Sequence, residues 1–201
     1  MYPIKIKIKK CENLNDVNKY IKKNRIRVIF FSETHGLLDE IPIQEKIINE
    51  LHPKYYLYEL LEEEKINSDE EFDIFLQKGE SQKFSVISTF GNLRPTIELA
   101  KKYKLPLIGC DIKDMCRDNK NFEDINSPKE KEIMYKREEK QREVIESWIS
   151  KQEELIFVSL GAFHLRENSE VLREFKHKFV IIFPLIDNKK LDEIEDEPNL
   201  T

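Results

Sequence analysis

The chain has 201 residues, with 36% charged against 39% in the AVILMFWYC set and a net charge of −5. That length suits one domain with a real core, and the negative balance lacks the basic footprint of a nucleic-acid binder. No stretch reaches the roughly 18 apolar residues that a membrane span needs, so neither nucleic acid nor a membrane is an expected partner.

Residues 1–10 alternate apolar side chains with lysine and hold no continuous apolar run of the kind a secretory leader carries. The three cysteines, Cys11, Cys110 and Cys116, have no C-x-x-C spacing. They suggest neither a disulfide framework nor a zinc knuckle, and a cytoplasmic location is expected. Residues 4–8 read as a short edge strand with lysine on its solvent side. Asn15 or Asp16 then caps a short helix to about Lys23, placing Val17, Tyr20 and Ile21 on one face.

Residues 27–31 are β-branched and aromatic, the composition of a strand buried on both faces. They run directly into Ser32-Glu33-Thr34-His35-Gly36. Ile41–Leu51 repeats Ile43, Ile47, Ile48 and Leu51 at helical spacing, and His52-Pro53 ends it. Tyr55–Tyr58 is a second strand that delivers Glu59. Residues 62–77 read as an acidic helix with a stripe of Phe72, Phe75 and Leu76. Residues 80–94 are ambiguous, since 84–87 suits either a strand or a loop.

A helix over 96–103 opens after Pro95, and 105–111 is a strand ending on Asp111. A polar loop over 112–126 precedes Ser127-Pro128-Lys129-Glu130, which matches a capping box with proline at the first helical position. The helix it starts runs to about Lys151. Residues 155–160 form a strongly apolar strand leading into Gly161-Ala162-Phe163-His164, followed by a short helix over 170–175 and a last strand over 179–183. Strands alternating with helices in this way imply an α/β class: a single domain over 1–187 with a mostly parallel central sheet flanked by helices. Residues 188–201 are acidic and polar, and read as a frayed tail that adds little stability.

Glu33, His35, Glu59, Asp111 and His164 share one position, the C-terminal edge of a strand. In open parallel sheets ligands bind outside those edges, so residues distant in sequence converge there. His35 and His164 should then lie within roughly 10 Å of each other, a span that a base and its orienter can bridge. Each residue also has a plainer reading, as a helix cap, a solvated loop residue or a packing histidine. His52 and His177 are read as structural. On the long helix, Arg137 lies near the edge of an apolar stripe of Ile133, Met134, Val144, Ile145, Trp148 and Ile149, whereas Arg142 points away. Arg137 either meets an anionic partner or snorkels to solvent.

Taken in order, these motifs resemble the superfamily that includes erythromycin esterases, the TraB and Tiki proteins, and the ChaN haem-binding proteins. Ser32-Glu33-Thr34-His35 looks like its Gly-Glu-x-His, with Ser32 in place of glycine. Glu59 looks like its second-strand glutamate. Arg137-Glu138 and Gly161-Ala162-Phe163-His164-Leu165 look like its arginine helix and its Gly-x-x-His, although Gln141 stands where methionine is usual. Asp111 is similar to an acidic residue at a middle strand.

The resemblance covers about residues 26–166 and implies a shared site more than a shared reaction. One implied function is hydrolysis of an ester or amide bond in a small molecule or peptide. His35 or His164 would activate water, with Glu33 and Glu59 as orienting carboxylates and Arg137 on a substrate carboxylate or oxyanion. Glu59 and Asp111 would contact substrate. His35, His164, Glu33 and Glu59 also suit a divalent metal such as Zn, Mn, Co or Fe. The other implied function is non-catalytic binding of haem or another anionic small molecule, with Phe30, Phe31 and Phe163 as apolar wall.

Overall fold

The continuous apolar runs become neighbouring strands of one sheet. The computed structural model describes residues 4–9, 14–78, 93–113, 128–186 and 189–190. Its strands are β1 (Ile4–Lys9), β2 (Val28–Glu33), β3 (Tyr55–Tyr58), β4 (Lys65–Ile66), β5 (Leu107–Gly109), β6 (Ile156–Gly161), β7 (Phe179–Ile186) and β8 (Lys189–Lys190). The lateral order is β1-β7-β2-β6-β3-β5-β4, with β8 paired to β7. Every pair among β1, β2, β3, β5, β6 and β7 is parallel, whereas β4 and β8 run antiparallel to their partners. The mostly parallel α/β sheet is therefore as the sequence implies, and β1 stands at one end of the order as an edge strand.

Helices cover both faces: α1 (Asn15–Asn24), α2 (Ile41–Leu51), α3 (Asp69–Lys78), α4 (Leu93–Lys102), α5 (Pro128–Lys151) and α6 (Glu170–Arg173). Side chains alternate across a strand, so β2 sends Ile29 and Phe31 to the core shared with α1–α4. It sends Val28 and Phe30 to the core shared with α5 and α6. Both sets are fully buried, which is why these strands read as unbroken apolar runs. Among the described residues, no helix is long and apolar enough to cross a membrane.

Several local expectations are corrected. The residue preceding α1 is Leu14, without a side-chain cap, so Asn15 and Asp16 lie within the first turn. There the Asp16 carboxylate favours the positive end of the helix dipole. The acidic segment 62–77 is not one helix. A 3-10 turn over Glu59–Leu61 and the short β4 come first, and α3 starts later. Its start is a capping box: the Glu71 amide donates to Ser68 Oγ at 3.2 Å, and Glu71 Oε2 accepts the Ser68 amide at 3.2 Å.

The helix after residue 92 already includes Leu93, with Pro95 in its first turn, where a missing N–H costs nothing. Proline does open α5, but Ser127, the ambiguous segment 80–92 and the loop 114–126 lie outside the described residues. So does the tail, except for Lys189–Lys190.

Candidate functional site

Chain order and sheet order differ at one place that matters. β6 lies between β2 and β3, so the ends of β2, β6, β3 and β5 line up side by side. They deliver Glu33 and His35, then Gly161 and His164, then Glu59, then Asp111. Glu33 pairs laterally with Gly161, and Tyr58 with both Ser159 and Gly109. β2 and β3 are thus two strand spacings apart, and side chains meet across β6 only if β6 leaves room. Gly161 leaves it: a Cβ there would stand 2.9 Å from His35 Nε2 and 3.4 Å from Glu59 Oε2.

Glu33 and Glu59 come from opposite layers. Glu33 lies on the α2 side, where its carboxylate accepts from Ser159 Oγ at 2.6 Å, Tyr58 OH at 3.1 Å and Gln44 Nε2 at 3.5 Å. Gln44 is fixed in turn by Tyr56 OH, which donates to its Oε1 at 2.6 Å. Burial raises both tyrosines well above their ordinary range, so they act as donors. Glu59 lies on the α5 side. Its Oε1 accepts from Arg137 Nη2 at 2.6 Å and His164 Nε2 at 3.2 Å, and its Oε2 accepts the Gly161 amide at 2.6 Å.

His35 bridges the two layers at the end of the sheet. Its Nδ1 lies 3.1 Å from Glu33 Oε1, and its Nε2 lies 3.6 Å from Glu59 Oε1. With 27% of its side chain exposed, it contrasts with His164 at 4%, and with Glu33, Glu59 and Asp111 at 0–2%. Both imidazoles reach the same Glu59 oxygen, well inside the expected span, so they form one joint site.

Arg137 does not snorkel. It is 7% exposed and turns inward, donating from Nε and Nη2 to Asp111 at 3.0 and 2.7 Å as well as to Glu59. Arg142 takes no part in the site; it reaches the Glu170 carbonyl and lies near Glu139. Gln141 also donates to Asp111 Oδ2, at 3.0 Å. His164 Nδ1 meets Glu138 Oε1 at 3.2 Å, and Glu138 is held by Arg166 and by the Glu170 amide at 2.9 Å.

The sequence alone assigns no role to Glu138, which stands in the arginine-helix motif, nor to Arg166, Gln44, Tyr58 and Ser159. One signal was available: Glu138 and Gln141 precede Ile145 on the buried side of α5, and Gln44 sits between Ile43 and Ile47 on α2. Polar residues on an apolar stripe must find partners inside.

Burial alone would push both imidazoles toward the neutral form, but the carboxylates win. Hydrogen bonds and charge from Glu33 and Glu59 raise His35 to about 10. Glu59 and Glu138 raise His164 against the opposing Arg137. Burial would raise Glu59, yet His164, His35 and Arg137 hold it well below the usual carboxylate range. The buried Cys110 thiol is pushed up well above its normal value, chiefly by burial, and so remains an uncharged packing group rather than a nucleophile.

The edge is thus a run of alternating charge: Glu33, His35, Glu59, His164, Glu138 and Arg166, with Arg137 and Asp111 beside Glu59. Because His35 gains protons on folding, its stabilisation is complete below pH 6.5 and is lost as pH rises toward about 10. The melting temperature should fall across that interval, and fall less in His35→Gln. A pH-melting series on both proteins checks this.

Three ligand atoms, from Glu59, Asp111 and His164, lie within 4.8 Å of one another. Neither Glu33 nor His35 belongs to that group. The Arg137 guanidinium already sits on the facing oxygens of Glu59 and Asp111. A dication between them would have to displace it or bear its repulsion.

Gly161→Ala isolates the role of the gap over β6. Gly161 has φ −52°, which alanine adopts freely, and the obstructed atom ends a side chain that can swing aside. The melting temperature should change by no more than a few degrees while His35 leaves Glu59. Thermal melts and the ring-nitrogen resonances of His35 in the same variant measure the two effects separately.

No family model matches the sequence, and no curated protein matches it. Among solved structures the chain is similar to ChaN of Campylobacter jejuni, described with cofacial heme binding. The identity is 10%, 90% of this chain and 88% of that chain are covered, and the TM-score is 0.48. At that level the likeness carries no argument, and the site stands on its own residues.

Proposed function

We propose that the chain is a hydrolase of an ester or amide bond in which His35 handles the proton at Nε2. The observation that carries this is the Glu33–His35 pair. A buried carboxylate, itself held by Ser159, Tyr58 and Gln44, fixes Nδ1 of His35, the more exposed of the two site histidines. An orienting carboxylate behind an imidazole is the arrangement acid–base chemistry requires. The resting imidazolium shifts the expected role from water activation to proton donation. As water attacks the carbonyl carbon, Nε2–H passes its proton to the leaving oxygen or nitrogen. The attacking water sheds its proton to solvent, because both Glu59 oxygens are already engaged by Arg137, His164 and the Gly161 amide. Nε2 then regains a proton from solvent, which restores the imidazolium. Glu59, held well below the usual carboxylate range, stays charged beside the imidazolium, so the acid step carries the acceleration.

His164 and Arg137 position Glu59 and do not meet substrate. Both ring nitrogens of His164 face carboxylates, and Arg137 is spent on Asp111 and Glu59. The substrate carboxylate or oxyanion role implied for Arg137 therefore finds no support in this geometry. Because Arg137 holds the oxygens a metal would need, no step runs through a divalent ion. Haem finds little support either. Phe30 and Phe31 are wholly buried in the two cores, and the Phe163 ring lies 4.1 Å under the Arg166 guanidinium.

The test is a panel of uncharged esters and amides assayed with and without a chelator. Turnover that survives the chelator and disappears in His35→Gln is expected. Wild-type protein inert toward the whole panel, or turnover that the chelator abolishes, would contradict the reading.

A further inference from the structure

A groove enclosing about 650 Å³ opens at the edge of the sheet opposite His35 and His164. Arg25, Ile26 and Arg27 enter it on their way into β2, and Ile21 and Lys22 enter it from the last turns of α1. Its charge is unlike that of the whole molecule. The chain carries a net −5, yet Lys22, Arg25 and Arg27 line this groove against one carboxylate, Glu153.

Part of that positive charge answers helix ends. The C-termini of α1 and α2 point here, and their carbonyls favour cations. Arg27 donates Nη2 to the Ile149 carbonyl near the end of α5, but its Nε is buried without a hydrogen-bond partner among the described residues. Lys22 and Arg25 are exposed, and among the described residues their side chains have no hydrogen-bond or ion-pair partner. The helix ends therefore leave cationic donors over, above a floor formed by the apolar Ile21 and Ile26. Cationic donors beside apolar surface match a ligand that is anionic at one end and apolar at the other.

We propose that this groove binds a small amphiphilic anion, a phosphate or carboxylate head on a short apolar body. The site is separate from the catalytic edge and does not depend on the hydrolase reading. Titration of the full chain with hexyl phosphate and with hexanoate, followed through backbone amide resonances, tests it; hexanol and inorganic phosphate serve as controls. At least one of the two amphiphiles should give saturable shifts centred on Ile21, Arg25, Ile26 and Arg27, and the comparison of heads identifies the preferred anion. Each control should bind at least about tenfold more weakly. The double variant Lys22→Glu, Arg25→Glu should lose about tenfold or more in affinity while the chain stays folded and melts only a few degrees lower, the cost of two carboxylates at the C-terminus of α1. The proposal is overturned if neither amphiphile shifts these resonances, if either control binds as tightly, or if the double variant retains full affinity.

Discussion

His35→Gln is expected to lower turnover by at least about 10²-fold, the lower end of what a positioned acid or base contributes. The chain should remain folded. The sequence alone suggests an open-cleft histidine whose removal hardly touches the fold. The structure revises that, because the imidazolium lies between Glu33 and Glu59 and its loss leaves both carboxylates less compensated. A cost of about 1–3 kcal/mol follows, which for a chain of this size lowers the melting temperature by several degrees. That cost leaves the protein folded at assay temperature, so lost turnover would report chemistry. Glutamine keeps a donor toward Glu33 but cannot carry the proton, whereas His52→Ala, at an exposed helix end, should change neither property. Melting temperature and turnover of the three proteins, measured side by side, decide the matter.

Arg137→Met should give the largest loss of stability among substitutions at the site. The guanidinium neutralises Glu59 and Asp111, both at most 1% exposed. Methionine fills the space but leaves two carboxylates buried without their main partner. Removing one member of such a buried pair costs about 3–5 kcal/mol, or roughly 10 °C or more in melting temperature for a chain of this length. The loss should shrink at low pH, where the stranded carboxylates take up protons. Arg142→Met, on the same helix but outside the network, should stay within about 1 kcal/mol of wild type. Calorimetry of both variants at neutral and acidic pH separates the buried pair from a general helix effect.

Much of this site was legible because parallel strands buried on both faces must be continuously apolar. Their ends are then the first places where polar side chains can stand. Glu33, His35, Glu59, Asp111 and His164 were visible for that reason. Their lateral order was not, since nothing in the local sequence says that β6 inserts between β2 and β3. The two-residue strands β4 and β8 are too short to show any period. The inward turn of Arg137 was equally hidden: its helical phase sits at the edge of the apolar stripe, and only the placement of Asp111 and Glu59 decides between core and solvent. Glu138, though quoted beside Arg137, had no assignable role because its partners, His164 and Arg166, lie on a different element.

The most direct measurement of the central claim is the titration of the His35 ring by nitrogen-15 NMR, with His35→Gln identifying the signal. A carboxylate-clamped imidazolium keeps protons on both nitrogens at pH 7 and releases one only near 10. A His35 that instead titrates near 6.5, as a free imidazole does, would contradict the clamp and the proton-donor role built on it.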